Sequence, residues 1–258
     1  MTARVRANEA RLKSEIRLAQ RVQTALLPAG PPKRFKGVDV AARFAPAREL
    51  VGDLYDFIVA EPNSLVVAVG DVAGKGVPAA LYGASVSELV RSQTFGEARA
   101  SARIKPGGVL ASMNTILQKR QLEEYYCTLC YAVFDLKRHT AVIANSGLPY
   151  PIRCRGTAVS RIELPGVPLG SFAGSSYEEV TLELARGDLI VFCSDGVVEA
   201  NDALGREFGS GQLTQVISRM RRRAAREVVD AIFAAVDEFR GGTPQNDDMT
   251  AVAIKITA

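Results

Sequence analysis

The chain has 258 residues, of which 47% are apolar and 23% charged, and its formal net charge is +4. This length suits one large domain or a domain with an appendage, and the composition is that of an ordinary globular protein. The mild charge argues against a nucleic-acid binder, no apolar run reaches the roughly 20 residues of a membrane span, and the charged N-terminus lacks the apolar core of a signal peptide. We therefore expect a cytoplasmic protein with neither nucleic acid nor membrane as a partner.

A single helical pattern covers residues 2 to 27 and stops at the prolines between Pro28 and Pro32. Val5, Leu12, Ala19 and Leu26 repeat every seven residues along it, with Ile16 and Gln23 between them, which is a short coiled-coil-like stripe. Such a helix could pack on its own domain, or it could dimerise the chain or transmit a signal; the two are compatible. We therefore divide the chain into a linker or regulatory helix, residues 1–30, and a main domain, residues 31–258.

Strand-like segments cluster in the main domain instead of alternating strictly with helices, which argues against a doubly wound parallel sheet. We expect an α+β fold, in which two stacked, mainly antiparallel sheets are flanked by helices. The predicted strands are 37–46, 53–61, a strand ending at Asp71, 125–136, 140–145, 150–155, 158–164, 177–184, 188–194 and 249–256, and the predicted helices are 77–95, 107–122, 210–220 and 224–239.

The most informative stretch is Gly70-Asp71-Val72-Ala73-Gly74-Lys75-Gly76, which follows an apolar, β-branched strand. It places a carboxylate where a buried strand enters a glycine-rich turn. It is not a phosphate-binding P-loop, because the spacing to Lys75 is one residue too short and Gly76 stands where a hydroxyl is needed.

Other aspartates occupy similar positions at the ends of apolar strands: Asp53, Asp195 and the pair Asp247 and Asp248. A carboxylate at a buried strand end is costly to desolvate unless something pairs with it, so several of them suggest a shared cation. Only oxygen ligands recur, which favours a hard metal such as Mg²⁺ or Mn²⁺. Neighbouring residues of a strand face opposite ways, so only one of the last pair should bind directly, and we choose Asp247.

Four motifs in this order, GDLYD, GDVAGKG, SDGVVE and NDDMT, resemble those of the metal-dependent (PPM, type 2C) serine/threonine phosphatases. The resemblance covers roughly residues 20 to 258 and is greatest for the branch of stage II sporulation protein E and RsbU. It implies the α/β sandwich of that fold and hydrolysis of a phosphoserine or phosphothreonine protein by hydroxide held between two Mn²⁺ or Mg²⁺ ions.

The resemblance also implies roles for single residues. Asp71 should bridge both metals, the backbone carbonyl of Val72 should complete one site, and Asp53, Asp195 and Asp247 should supply the other carboxylates. The implied partners are a phosphorylated anti-sigma-factor antagonist as substrate, an upstream sensor or activator at the N-terminal helix, and a second copy of the chain.

Two cations near these motifs, Lys75 and Arg48, could contact phosphate or the partner protein. Two departures from the family pattern stand out: Val51 replaces a glycine beside Asp53, and Leu148 replaces a histidine in Asn145-Ser146-Gly147-Leu148. They are the only support for an alternative reading as a pseudophosphatase, a scaffold that binds signalling partners without turnover.

Three further features have simpler interpretations. His139, the only histidine, lies in a predicted hairpin turn. The four cysteines, which lie in strand-like runs, should be buried reduced thiols. The arginine-rich run 219–226 could bind nucleic acid, but it lacks aromatic residues and is better explained as a solvated or partner-facing surface.

Overall fold

The computed structural model describes residues 3–258 except 27, 29, 31, 33, 34, 101, 102, 121 and 123, and side chains from residue 8 onward apart from these positions and residues 26 and 100. Its helices are α1 (Ala3–Leu26), α2 (Val77–Ala100), α3 (Pro106–Lys119), α4 (Asp195–Val198), α5 (Gly209–Met220) and α6 (Ala225–Arg240). Its strands are β1 (Val38–Ala45), β2 (Leu54–Glu61), β3 (Ser64–Val72), β4 (Cys127–Asp135), β5 (Thr140–Asn145), β6 (Ile152–Arg155), β7 (Ala158–Arg161), β8 (Glu179–Glu183), β9 (Leu189–Cys193) and β10 (Met249–Ile256).

The ten strands form two five-stranded sheets, which confirms the predicted α+β sandwich. One sheet has the order β1-β10-β9-β6-β7, and the other has the order β2-β3-β4-β5-β8. Every recorded pair is antiparallel. The predicted elements match the observed ones to within a few residues; the short helix α4 was not predicted, and residues 2 and 27, the predicted ends of the first helix, lie outside the described part.

Strand β3 shows why the two-layer arrangement suits this sequence. Its odd-numbered residues from Leu65 to Val69 join the core between the sheets, whereas Val66 and Ala68 face the helical layer of α2 and α3. Because side chains alternate along a strand, a strand covered on both faces needs an unbroken apolar run. On the other sheet, α5 and α6 pack against β9 and β10 in the same way.

Helix α1 lies against α2 and is attached to the main domain near its C-terminal end. The Gln23 amide nitrogen donates to the Val51 carbonyl oxygen at 2.7 Å, and its amide oxygen accepts from the Val51 N–H at 3.2 Å. Within the predicted stripe, Ile16 and Ala19 are half-buried, but Leu12 is exposed, and the side chains of Val5 and Leu26 lie outside the described residues. The helix is therefore anchored two residues before Asp53, while the domain boundary at residue 30 and the dimer remain predictions.

Smaller expectations are also met. His139 lies exposed in the β4–β5 turn with a positive φ of 50°, and all four cysteines are free and buried. Within the described residues, no helix has the length and apolar character needed to cross a membrane.

Candidate metal centre

Two antiparallel strand pairs, one from each sheet, bring the candidate carboxylates to one edge of the sandwich. In the first pair Leu54 faces Gly70, so Asp53 lies just before β2 and beside Asp71 near the end of β3. In the second pair Cys193 faces Ala251, so Asp195 opens α4 directly after β9 and Asp247 precedes β10.

The pKa shifts show that these acids lie close enough to repel one another. Burial, followed by the charge of Asp195 and then those of Asp247 and Asp248, raises the pKa of Asp71 to about 7. Burial and then the charge of Asp71 raise the pKa of Asp53 well above its ordinary value. Burial first, with the charge of Asp247 adding to it, also raises the pKa of Asp195. Without a cation, this edge of the protein concentrates negative charge at an energetic cost.

Asp53 is fixed through one oxygen only. Its Oδ2 accepts hydrogen bonds from the hydroxyls of Ser194, at 2.8 Å, and Thr250, at 2.5 Å, and the Thr250 N–H donates to the Ser194 hydroxyl oxygen at 2.9 Å. Its Oδ1 is buried and, among the described residues, receives no hydrogen bond from an N–H or hydroxyl group, while the carboxyl of Asp71 lies next to Asp53. Since buried carboxylate oxygens are normally paired, an orphaned one within an acidic cluster fits a site that binds a cation.

A glycine leaves room for oxygen atoms beside this carboxylate. A Cβ added to Gly52 would lie 2.8 Å from the Val72 carbonyl oxygen and 3.0 Å from Asp71 Oδ1. Any larger residue would therefore push into the two oxygens that the resemblance assigns to metal binding.

The adjacent residues Asp247 and Asp248 have different environments, and the assignment of Asp247 as a ligand stays a prediction. Asp248 is buried, and its oxygens accept from the backbone N–H groups of Ala47 and Gly52, both at 2.8 Å. It therefore braces the loop that leads to Asp53. Asp247 is about half exposed; its Oδ2 pairs with the Lys75 ammonium, and its Oδ1 accepts from the Asp248 N–H at 2.9 Å.

Both predicted cations lie beside this cluster. Lys75 Nζ lies 2.8 Å from Asp247 Oδ2 and donates to the Asn246 carbonyl oxygen at 2.8 Å. Arg48 is exposed and lines the same crevice as Lys75, Asp247 and Asp248.

The cluster is not closed around an ion position. Across the described part of the chain, no group of three or more His, Cys, Asp or Glu side chains is arranged to hold a metal ion as it stands. Asp247 in particular is occupied by Lys75. The donor set of carboxylates and a carbonyl nevertheless matches hard divalent cations, and side-chain rotation of Asp247 would bring a further carboxylate toward the cluster.

Comparison with known proteins places the chain in a family. The family model described as "Stage II sporulation protein E (SpoIIE)" matches residues 61–257. The chain belongs to the SpoIIE family. Among its relatives is the phosphoserine phosphatase RsbU of Bacillus subtilis (strain 168), which is 27% identical over 253 residues, 97% of this chain and 72% of RsbU. The chain spans a smaller part of other relatives, 41% of protein IcfG from Synechocystis and 26% of stage II sporulation protein E from B. subtilis.

Solved structures confirm the fold expected for a SpoIIE-family chain. The SiaA-PP2C domain of Pseudomonas aeruginosa superposes with a TM-score of 0.81 at 21% identity, covering 97% of this chain and 99% of that domain. The RsbU and RsbW domains of Rv1364c from Mycobacterium tuberculosis give a TM-score of 0.75 at 23% identity, covering 90% of this chain and 63% of that one.

Two further neighbours that share this fold were solved with divalent metal ions bound. The structure of RsbX is a complex with magnesium, at 14% identity and a TM-score of 0.65, covering 87% of this chain and 98% of RsbX. That of the serine/threonine protein phosphatase PstP is a complex with two manganese ions, at 15% identity and a TM-score of 0.60, covering 86% of this chain and 99% of PstP.

The departures from the SpoIIE-family pattern lie in ordered surroundings. Val51 is buried and pairs through its backbone with Gln23, leaving Asp53 within its hydroxyl network. Leu148 packs in the core between the sheets. Its carbonyl oxygen accepts from the Asn145 Nδ2, and its N–H donates to the Asn145 Oδ1. Leu148 is thus a core residue and offers no side chain to a substrate.

Our sequence reasoning missed the positioning roles of four residues, namely Ser194, Thr250, the brace Asp248 and the anchor Gln23. The hydroxyls of Ser194 and Thr250 stand inside two of the quoted motifs, next to Asp195 and close to Asp247. Each is a small polar residue in or directly after an apolar strand. Such a residue indicates a hydrogen-bonding role, since a buried hydroxyl needs a partner.

We expect Thr250→Val to weaken Mn²⁺ binding about 10- to 100-fold, as is usual when a hydrogen bond to a metal ligand is lost. The substitution preserves the shape of a fully buried side chain but removes one of the two donors to Asp53 Oδ2. Isothermal titration with Mn²⁺ measures the change, and Thr250→Ser, which keeps a hydroxyl, serves as the control. Equal Mn²⁺ affinity of Thr250→Val and wild type would contradict this role.

Lys75→Gln should strengthen Mn²⁺ binding about two- to fivefold, the range that corresponds to losing one partly exposed ion pair. The Lys75 ammonium competes with a divalent ion for Asp247, and glutamine removes its charge. The measurement is a Mn²⁺ titration at fixed ionic strength. Weaker binding by the variant would show that Lys75 supports the metal site instead of competing with it.

Proposed function

We propose that this chain is a Mn²⁺- or Mg²⁺-dependent phosphatase that acts on a phosphoserine or phosphothreonine protein, specifically a phosphorylated anti-sigma-factor antagonist in partner-switching signalling. The observation that carries the proposal is the buried, partnerless Oδ1 of Asp53 within an acidic cluster at one edge of the sandwich. The activity of the relative RsbU, a phosphoserine phosphatase, supports the reaction class.

The ligands would come from both sheets. Asp53, Asp71 and the carbonyl of Val72 come from the β2–β3 side, and Asp195 and Asp247 come from the β9–β10 side. The chemistry that bound divalent ions supply is a hydroxide nucleophile near neutral pH and neutralisation of phosphate charge.

The chain's other residues orient the reactants. Ser194 and Thr250 hold Asp53 in one rotamer, and Asp248 holds the loop through Gly52. Arg48 and, once released from Asp247, Lys75 face the cleft as donors for phosphate oxygens. His139 lies in the β4–β5 turn at the end of β4 far from Asp71, since Asp71 pairs with Thr128 at the start of that strand, so we assign protonation of the leaving serine oxygen to solvent.

The substrate assignment rests on relatives. RsbU is a phosphoserine phosphatase, and the Rv1364c structure contains RsbU and RsbW domains together. An upstream regulator acting through α1 suits the attachment of Gln23 beside Asp53.

The test is turnover of a phosphoserine-bearing antagonist protein with Mn²⁺, in the presence and absence of chelator. We expect phosphate release that chelator stops and that Asp195→Asn reduces at least 100-fold, with Asp237→Asn as the control because Asp237 is an exposed residue of α6. Equal rates with chelator would reject the metal mechanism. Binding of the antagonist without turnover would instead support the scaffold alternative.

A further inference from the structure

A basic groove of about 360 Å³ lies at the end of the β1–β10 sheet remote from the carboxylates. It is lined by Cys154, Gly156, Thr157, Arg186, Gly187, Arg221, Arg222 and Lys255. Half of these residues are cationic and none is acidic. The groove contains part of the arginine-rich run whose purpose the phosphatase site does not explain.

Four chain segments meet there: the β6–β7 turn, the turn before β9, the C-terminal end of α5 and the end of β10. Arg221 Nε donates to the Gly156 carbonyl oxygen at 3.1 Å, and its Nη1 donates to the Ser218 carbonyl oxygen at 2.6 Å. Lys255 Nζ donates to the carbonyl oxygens of Arg221, at 3.2 Å, and Arg223. Neutral carbonyls thus hold these two cations in place without cancelling their charge.

Carboxylates around the groove already have other partners. Asp39, which faces Lys255 across the β1–β10 pair, accepts from the Ala225 N–H at 2.8 Å. Asp188 is buried between Arg153 and Arg155, at 2.8 and 2.7 Å. Glu227 lies 3.9 Å from Arg223, and Asp230 lies 3.0 Å from Arg226.

The groove itself therefore keeps an unbalanced positive charge. Arg186 and Arg222 are exposed, and within the described residues neither forms an ion pair with a carboxylate. Concave, one-signed surfaces focus the field and attract ligands of opposite charge.

We propose that this groove binds an acidic segment of a partner protein. Its lining has no aromatic ring on which nucleic-acid bases could stack and no large apolar side chain that could enter a bilayer. An extended peptide rich in Asp or Glu needs only charge and donors in a narrow groove, and the four cations supply both.

The position makes this a second site, separate from the phosphate cleft. β10 begins two residues after Asp247 and ends one residue after Lys255, so its eight residues separate the two sites by roughly 25 Å. A partner can therefore dock in the groove while the phosphatase cleft stays open, and the proposal does not depend on the proposed reaction.

The test uses a fluorescein-labelled decaglutamate peptide as the probe and fluorescence anisotropy as the readout. We expect the double variant R186E/R222E to bind it at least tenfold more weakly than wild type at 50 mM salt. The control is R99E/K119E, which makes the same charge change at two exposed helix positions of α2 and α3 and should stay within about twofold of wild type.

Folding and competing ligands are checked alongside. Both groove positions are exposed, so the thermal midpoint of R186E/R222E should match wild type, and the single variant Arg222→Ala should show an intermediate loss if the double variant does not fold. No binding of the peptide by wild type at 1 mM, or equal losses in both double variants, would overturn the proposal. It would also be overturned if duplex DNA or phosphatidylserine vesicles bound more tightly than the peptide and depended on the same two arginines.

Discussion

Asp71→Asn should lower kcat/KM on a phosphoserine protein by on the order of 10³-fold, equivalent to about 4 kcal/mol of transition-state stabilisation. Asp71 lies at the centre of the cluster, where the charges of Asp195, Asp247 and Asp248 all reach it. Asparagine preserves the side chain's shape but removes the negative charge that a bridging ligand must supply. The measurement is steady-state turnover with Mn²⁺, with Asp237→Asn as the control.

The same substitution should stabilise the metal-free protein above neutral pH. The pKa of Asp71 is raised from 3.8 to about 7 in the folded state, so between these values the folded protein binds more protons than the unfolded chain. Its free energy of unfolding therefore falls as pH rises from about 4 to about 7, and the loss is complete above that. Asparagine does not titrate, so at pH 8 the variant should be more stable by up to about 4 kcal/mol, while at pH 4 the two should differ little.

Urea denaturation in chelator at pH 4, 5 and 8 measures this difference. Adding Mn²⁺ at pH 8 should reverse the order, because an ion that binds only folded wild type stabilises it by mass action. A variant that is inactive yet no more stable than wild type in chelator would mean that the carboxylates do not repel one another, and the cluster would lose its interpretation as a cation site.

The success of the sequence reasoning had a physical basis. β3 and β10 are buried on both faces, so their apolar runs identify them as strands directly. The family motifs lie at the ends of these strands and contain the candidate ligands. The sequence did not assign individual strands to the two sheets, because β1 pairs with β10 across some two hundred residues and no local pattern encodes that.

Other features could not be predicted, for identifiable reasons. α4 has only four residues, too few for a helical period to be visible. The Gln23 side chain bonds the backbone of Val51, 28 residues away in sequence. Every residue has a backbone carbonyl, so the identity of Val51 does not indicate this contact. Asp247 and Asp248 carry the same side chain, and only the nearby N–H groups of Ala47 and Gly52 distinguish the brace from the candidate ligand.

Gly196→Ala should remove activity and stability together. A Cβ added to Gly196 would lie 1.9 Å from the Asp248 carbonyl oxygen, a backbone atom that cannot rotate away. To relieve the overlap, the segment carrying Asp195 must move by more than about 1 Å from the segment carrying Asp247. Displacements of that size cost about 10²-fold in rate.

We expect a loss of about 3 kcal/mol in the free energy of unfolding, the upper part of the range for overpacked interiors. The control is Gly211→Ala in α5, where an added Cβ meets nothing within 4 Å and should be neutral or stabilising by up to about 1 kcal/mol. Activity is measured in saturating Mn²⁺. If the substitution only lowered the affinity for Mn²⁺, saturation would restore activity; if it moved the two ligand segments apart, activity would stay low. Wild-type activity and stability in Gly196→Ala would show that the β9–α4 and β10 segments are not in the close contact on which the metal centre depends.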